Sequence, residues 1–310
     1  MTHKPISSLF QEAWELSRAL HGNRLSVHVP GMFVVNGRRG RYRAVSITAE
    51  RCDLDCEHCK GTLLRTMPHA QAPQRLIEFG LEADARGDHG ILVSGGCDRA
   101  GRLPWKEFIP AIRLIKDKTA LKITIHSGLV DPETAVLLKE AGVDQALVDV
   151  IGDEVTAKEV YHLRDGVTSI RRSMESLALA GLETVPHILF GLHYGQERGE
   201  MAALEILKGF PLKKYVVVVL MPTKGTAMAD VRPPAPDRVA GFMAKARLQL
   251  PKLKASLGCA RPRGKYRMDL DVLAVKAGIN SLALPSDRAL IEATDRGLEV
   301  CYEETCCSLG

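Results

Sequence analysis

The chain has 310 residues, 45% of them hydrophobic and 5% aromatic, with a formal net charge of +5; the length suits one large α/β domain with an ample core. No run approaches the roughly 20 apolar residues that cross a bilayer, and the opening "MTHKPISSLF" lacks a signal pattern, so the expectation is a cytoplasmic protein with no membrane partner. The mild positive excess with few aromatics argues against nucleic acid and is weak support for an acidic partner.

Residues 1–40 read as a helix and an irregular lead-in, and the run "NGRRGRYR" (Arg38, Arg39, Arg41, Arg43) reads as a solvated loop. Beyond it, short β-rich apolar runs alternate with amphipathic stretches, as repeated βα units on a parallel sheet would. Strand candidates start at Tyr42 ("YRAVSITA"), His89 ("HGILVSGG"), Leu121 ("LKITIHSG") and Gln145 ("QALVDVIG"), then at Val185 ("VPHILFGLHYG"), Lys214 ("KYVVVVLMP"), Lys254 ("KASLGCARP") and Ile279 ("INSLALPS"). Helix candidates between them include "PQRLIEFGLEADARG", "WKEFIPAIRLIKDK", "DPETAVLLKEAG" and "RMDLDVLAVKAG". The last two end in Gly, which takes the left-handed conformation of a helix C-terminus, and two begin near Asp, a good N-cap. Eight strands and eight helices make one (βα)8 TIM-type barrel over residues 41–298, with a cysteine-bearing tail, 299–310, behind it. No short-period repeat is visible.

Cys52 follows the first strand, "SGGCD" the second and "HSG" the third, while Asp149 closes the fourth; "GLHYG", "PTKGT" and "CARPRG" follow the fifth, sixth and seventh. Barrel active sites are built from the loops after the C-terminal ends of strands, so these motifs are expected to converge.

The eight cysteines are Cys52, Cys56, Cys59, Cys97, Cys259, Cys301, Cys306 and Cys307. Such clustering favours metal ligation or thiol chemistry over a disulfide framework. Cys52, Cys56 and Cys59 stand as C-x3-C-x2-C in "ERCDLDCEHCKG". A closed zinc site wants four ligands, and the nearby His58 lies between two of the cysteines, poorly placed to be the fourth. Three thiolates can instead hold three irons of a cubane cluster, leaving the last iron open to substrate or cofactor.

This loop resembles the signature of the radical S-adenosylmethionine superfamily, three cysteines at this spacing after the first strand of a βα barrel. The resemblance implies a 4Fe-4S cluster whose open iron binds S-adenosylmethionine, cleaved after one-electron reduction to a 5'-deoxyadenosyl radical. Ser94, Gly95 and Gly96 resemble the superfamily's small-residue segment beside the methionine amino group; Cys97 stands where an acidic residue is usual, which frees it for another task. Asp149 is placed to bond the ribose hydroxyls. Gly191 and His193 in "GLHYG", Met221 in "MPTKGT", and His58 resemble segments flanking the adenine.

Cys97 and Cys259 fall at the barrel mouth, and together with Cys306 and Cys307 they are candidates to ligate an auxiliary iron-sulfur cluster. About a dozen residues follow Leu298, and at roughly 3.3 Å each they span some 40 Å, enough for the tail to reach the mouth. Arg261 and Arg263 are candidates to bind a substrate carboxyl, balance cluster charge or act as an unusual ligand. Cys301, in "LEVCY", reads as a buried core residue.

From about Pro30 onward, "SITAERCDLDCEHCKGTLLRTM", "SGGCD", "GLHYG", "GCARPRG" and "CCSLG" are similar to the biotin synthase-like proteins that serve as one component of the two-protein, archaeal-type lipoyl synthase. No extra cysteine motif precedes Cys52, unlike the single-chain enzyme. The resemblance implies sulfur insertion at an unactivated carbon of an octanoyl chain on a lysine of an acidic lipoyl-type carrier protein. It also implies a second radical component and an electron donor. Alternatives are another biotin synthase-like reaction on a free small molecule, or a non-catalytic metal-binding barrel.

Overall fold

The computed structural model describes residues 6–31 and 33–310. Helix α1 (Ile6–His21) leads into strand β1 (Arg24–His28) and a small antiparallel hairpin of β2 (Val34–Val35) and β3 (Arg38–Arg39). The alternating part runs β4 (Tyr42–Ser46), α2 (Pro73–Ala85), β5 (Gly90–Ser94), α3 (Trp105–Lys118), β6 (Lys122–His126), α4 (Pro132–Glu140) and β7 (Gln145–Asp149). Two helices, α5 (Glu154–Val160) and α6 (Gly166–Leu179), share the next crossover, before β8 (Glu183–Phe190), α7 (Glu200–Leu207), β9 (Lys214–Val219) and α8 (Pro236–Gln249). The chain finishes through β10 (Lys254–Leu257), α9 (Lys265–Lys276), β11 (Ser281–Ala283), α10 (Asp287–Asp295) and β12 (Glu299–Glu303).

Ten strands form one curled parallel sheet, in the order β12-β1-β11-β10-β9-β8-β7-β6-β5-β4. All eight expected strands are present. The TIM-type βα architecture is borne out as a curled sheet with two edges, to which β1, lying between β11 and β12, and β12 itself add two strands. Leu25 and Val27 of β1 are fully buried, Leu25 in the main core. The segment expected as lead-in thus supplies a sheet strand, and the start of the expected tail supplies an edge strand. The tail then spans the gap between the edges: the Val29 N–H donates to the Glu303 carbonyl, and the Arg41 N–H, just before β4, donates to that of Glu304 at 2.9 Å.

Local signals account for the helix boundaries. Asp131 caps α4 by accepting the Thr134 N–H at 2.7 Å, with Pro132 in the first turn, and Asp153 caps α5 in the same way through Thr156. Helix α4 is followed by Gly142 at φ +90°, and α9 by Gly278 at φ +77°.

Strand register fixes the inner face, since side chains of paired residues point the same way. Leu147, Val185, Val216 and Ala283 form an apolar cluster separate from the main core, with Leu92 and Val218 half-buried against it. Leu147 pairs with His126, Asp149 with His187, and Val216 with Ser256. Further round, Ser256 pairs with Ser281, and Ala283 with His28. The inner wall therefore mixes one aliphatic belt with imidazoles and small hydroxyl side chains.

Candidate active site

The loop after β4 carries the cysteine trio on a constrained backbone. Ala49, Asp55 and Lys60 have φ near +50° (51, 51 and 46°), a conformation costing about 1–3 kcal/mol at a non-glycine residue and held only by its surroundings. Here the surroundings are hydrogen bonds: the Ser46 hydroxyl to the Ala49 carbonyl at 2.6 Å, the Asp53 N–H to the Cys97 carbonyl at 2.7 Å, and the Glu57 N–H to the Val160 carbonyl at 2.9 Å. The Lys60 ammonium bridges Asp55 and Glu57, each at 3.0 Å.

Within that loop Cys56 is buried, and Cys52 and Cys59 are half-buried, all as free thiols. The Cys56 thiol donates to Cys59, which holds Cys59 well below the usual thiol range, while the same bond and burial push Cys56 up. His58 also favours the Cys59 thiolate; its ring stacks on Tyr161 with centroids 5.1 Å apart, and its Nδ1 is buried without a partner. The Tyr161 hydroxyl donates to Asp149 Oδ2 at 3.0 Å. His58 and Asp149 are thereby linked through Tyr161, a residue the sequence reading missed.

The small residues after β5 are required by the trio loop itself. A Cβ on Gly96 would lie 2.0 Å from the Arg51 carbonyl oxygen and 2.6 Å from Cys52 Cα, and the Gly96 N–H donates to Thr48 Oγ1 at 2.6 Å. On Gly95 it would press on Thr48 and Leu103 at 3.1–3.2 Å. Ser94 shares a hydrogen bond with His126 Nδ1 at 3.2 Å. Gly96 is required to be glycine by the Cys52 backbone that passes over it.

Cys97 is also reassigned. Expected with Cys259 in a second group, it lies instead in electrostatic reach of Cys52, Cys59 and Asp149, and burial pushes its thiol up.

Cys259, after β10, meets Cys306 and Cys307 from the tail on the inner face of the sheet, in contact with the aliphatic belt. The Cys307 thiol stands hydrogen-bonded to both Cys259 and Cys306. Its bond holds Cys306 down to about 5, helped by the Ser308 hydroxyl and N–H, and also lowers Cys259, which Arg261 favours further as the thiolate. His126 is in electrostatic reach of Cys306, and its ring meets that of His187 edge-on at 6.1 Å. These two imidazoles were missed within strand runs that read as apolar.

Other expected residues stand apart. Arg261 and Asp271 form an ion pair with both side chains at 0% exposure, Nε to Oδ1 at 2.7 Å and Nη2 to Oδ2 at 3.0 Å. The Gly258 and Leu284 carbonyls each accept one further N–H. With its charge matched by Asp271 and its side chain at 0% exposure, Arg261 is out of reach of a substrate carboxyl, and that reading is corrected. Arg263 is exposed, while the neighbouring Arg267 buries an unpartnered Nε. Gly191, at φ +77°, donates its N–H to Glu200 Oε1 at 2.8 Å, and His193 meets Thr156 at 3.3 Å. Met221 is half-buried after β9. Cys301 is corrected from core residue to sheet edge: its thiol stands 3.5 Å from Glu299 Oε1 on half-exposed β12.

Among the described residues no three His, Cys, Asp or Glu side chains converge on a single metal ion. The donor chemistry of the trio loop, free thiols on one pre-bent segment with a thiolate already favoured, fits a cluster of several irons. No described helix is long and apolar enough to cross a membrane.

No protein-family model matches the chain. It is 26% identical over 288 residues to the biotin synthase of Pelotomaculum thermopropionicum, covering 89% of this chain and 82% of that protein. The crystal structure of methylornithine synthase superposes with a TM-score of 0.66 at 16% identity, over 98% of this chain and 91% of the other. Streptococcus suis SuiB bound to S-adenosylmethionine gives 0.55 at 13% identity, over 79% and 58% of the two chains.

Proposed function

We propose that this chain, biotin synthase-like and built on the radical S-adenosylmethionine fold, inserts sulfur at an unactivated C–H carbon. In this reading it is one component of a two-protein lipoyl synthase acting on an octanoyl-lysine carrier protein, with sulfur drawn from an auxiliary iron-sulfur cluster.

The observation that carries this is the second thiol group. Cys259, Cys306 and Cys307 sit inside the curled sheet against Leu92, Leu147, Val185, Val216 and Val218. An aliphatic chain entering from the mouth would leave water for the half-buried Leu92 and Val218, worth roughly 25 cal/mol per Å² of apolar surface, and would lie beside the sulfur ligands.

Cys52, Cys56 and Cys59 would hold the 4Fe-4S cluster, and Asp149, already oriented by Tyr161, would accept from ribose hydroxyls. Bound together, cluster and S-adenosylmethionine supply a 5'-deoxyadenosyl radical strong enough to break an unactivated C–H bond. The chain's own part is to hold the two thiol groups on separate segments, one on the loop after β4 and one at β10 and the tail, and to exclude water at the aliphatic belt.

The test combines anaerobically reconstituted protein, its partner component, a reductant and S-adenosylmethionine with an octanoylated carrier. A mass increase on the carrier, lost in a Cys306→Ala, Cys307→Ala variant, is expected. A carrier of unchanged mass refutes the reading. Similarity to a biotin synthase favours one second reading, sulfur insertion on a free small molecule, in which the mass change appears on the metabolite instead.

A further inference from the structure

Residues 304–310 are held inside the sheet by side chains from three different strands. His28 of β1 meets Thr305 Oγ1 at 3.2 Å, Ser256 of β10 donates to the Cys307 carbonyl at 3.3 Å, and Lys214 of β9 donates its Nζ to the Leu309 carbonyl at 2.7 Å. Of the three, only Lys214 is positively charged. His28 is buried next to that ammonium, and both burial and Lys214 favour its neutral form.

Lys214 is 4% exposed, and no carboxylate among the described residues pairs with it. Nearby Glu183 is taken by Lys213 at 2.8 Å. A buried ammonium needs a compensating partner. The direct partner present is the Leu309 carbonyl, two residues beyond Cys307. The lysine thereby holds down the segment that carries the two cysteines, and its charge lies beside that segment.

We propose that Lys214 is a positioning residue for the second thiol group: it latches the C-terminal segment inside the sheet and brings a buried cation beside the segment that carries Cys306 and Cys307 as ligands. The ligand role rests on the sulfur-insertion reading above; the latch does not.

The experiment therefore has a metal-free arm and a metal arm. In the iron-free protein, alkylation of Cys306 and Cys307 is timed by mass spectrometry, with the half-exposed Cys301 as internal control. Losing a hydrogen bond from a charged donor should raise local opening about ten- to a hundredfold. Lys214→Met is thus expected to speed alkylation of Cys306 and Cys307 by that factor and leave Cys301 unchanged. Unchanged rates at all three overturn the latch. If Lys214→Met unfolds, seen as faster alkylation at every cysteine, Lys214→Arg decides: protection kept at Cys306 and Cys307 supports the latch, and selective loss there overturns it.

In the metal arm, iron is counted after reconstitution in a Cys52→Ala, Cys56→Ala, Cys59→Ala background, with and without Lys214→Met. Loss of that iron on adding Lys214→Met, or a shifted midpoint potential for what remains, supports the charge role; equal iron at equal potential overturns it. Should the background bind no iron while the alkylation effect holds, the auxiliary-cluster reading fails and the latch stands.

Discussion

The reassignment of Arg261 gives the sharpest stability prediction. In Asp271→Ala the guanidinium keeps two carbonyl partners but loses its only carboxylate, and the Ser286 N–H, which donates to Asp271 Oδ2 at 2.9 Å, is orphaned as well. Removing one partner of a fully buried ion pair costs about 3–5 kcal/mol, because the other charge stays behind uncompensated. At an unfolding entropy of about 2 cal/mol/K per residue, the 310-residue chain should melt about 5–8 °C lower. Thermal and urea unfolding of the iron-free protein measure this. The double variant Arg261→Met, Asp271→Leu removes both charges and should recover more than half of the loss. A single variant melting with the wild type, or a double variant no better than the single, would refute the structural role and return Arg261 to the candidates for substrate binding.

Gly96→Ala should cost the first cluster: a Cβ 2.0 Å from the Arg51 carbonyl and 2.6 Å from Cys52 Cα displaces the trio loop, and iron per chain should fall, whereas Gly95→Ala, with contacts of 3.1 Å or more, should fall less. Cys301→Ser should leave iron and sulfide content unchanged, since its thiol lies on the sheet edge beside Glu299; iron loss there would place it among the ligands. His187 is pushed down to about 4, first by burial and then by His126. It is neutral when folded but charged when unfolded below its ordinary range, so its stabilisation is complete above about pH 6.5 and is lost as pH falls towards 4, by up to about 3 kcal/mol. Urea unfolding at pH 7 and pH 5 should show a smaller difference in His187→Gln than in the wild type, and equal differences would sink the assignment.

The eight central strands were legible because apolar β-rich runs ended in glycine or turn residues. Strand β1 was not, because "RLSVH" alternates the fully buried Leu25 and Val27 with Ser26 and His28 facing inward, and its apolar signal is only two residues long. Cys301 was misjudged for the opposite reason: "LEVCY" has a strand's composition, but only the sheet order shows that β12 is an edge. The first thiol group was readable from spacing on one loop. For the second, the tail's reach was computable from its length and Cys259 was expected at the mouth, yet the anchor Lys214 is distant in sequence, and no local pattern reports that contact. Arg261 failed similarly, since its partner Asp271 lies one element further on, in α9.

The open seam, the small inner side chains and the terminal cysteines depend on one another. An eight-stranded parallel barrel normally fills its interior with branched aliphatic residues from alternate strands. Here the inner row through β10, β11 and β1 is Ser256, Ser281 and Ser26, too small to meet across the interior. The unfilled space is occupied by the chain's own end, with Cys307 and Ser308 at 4% and 1% exposure. A segment entering from outside needs a gap in the wall, and pairing β4 directly to β12 would leave none. The tail instead crosses that gap and satisfies the Arg41 N–H that an edge strand would leave bare. Small inner residues, which in isolation weaken a core, therefore allow thiols as far apart in sequence as Cys259 and Cys307 to meet within a single chamber.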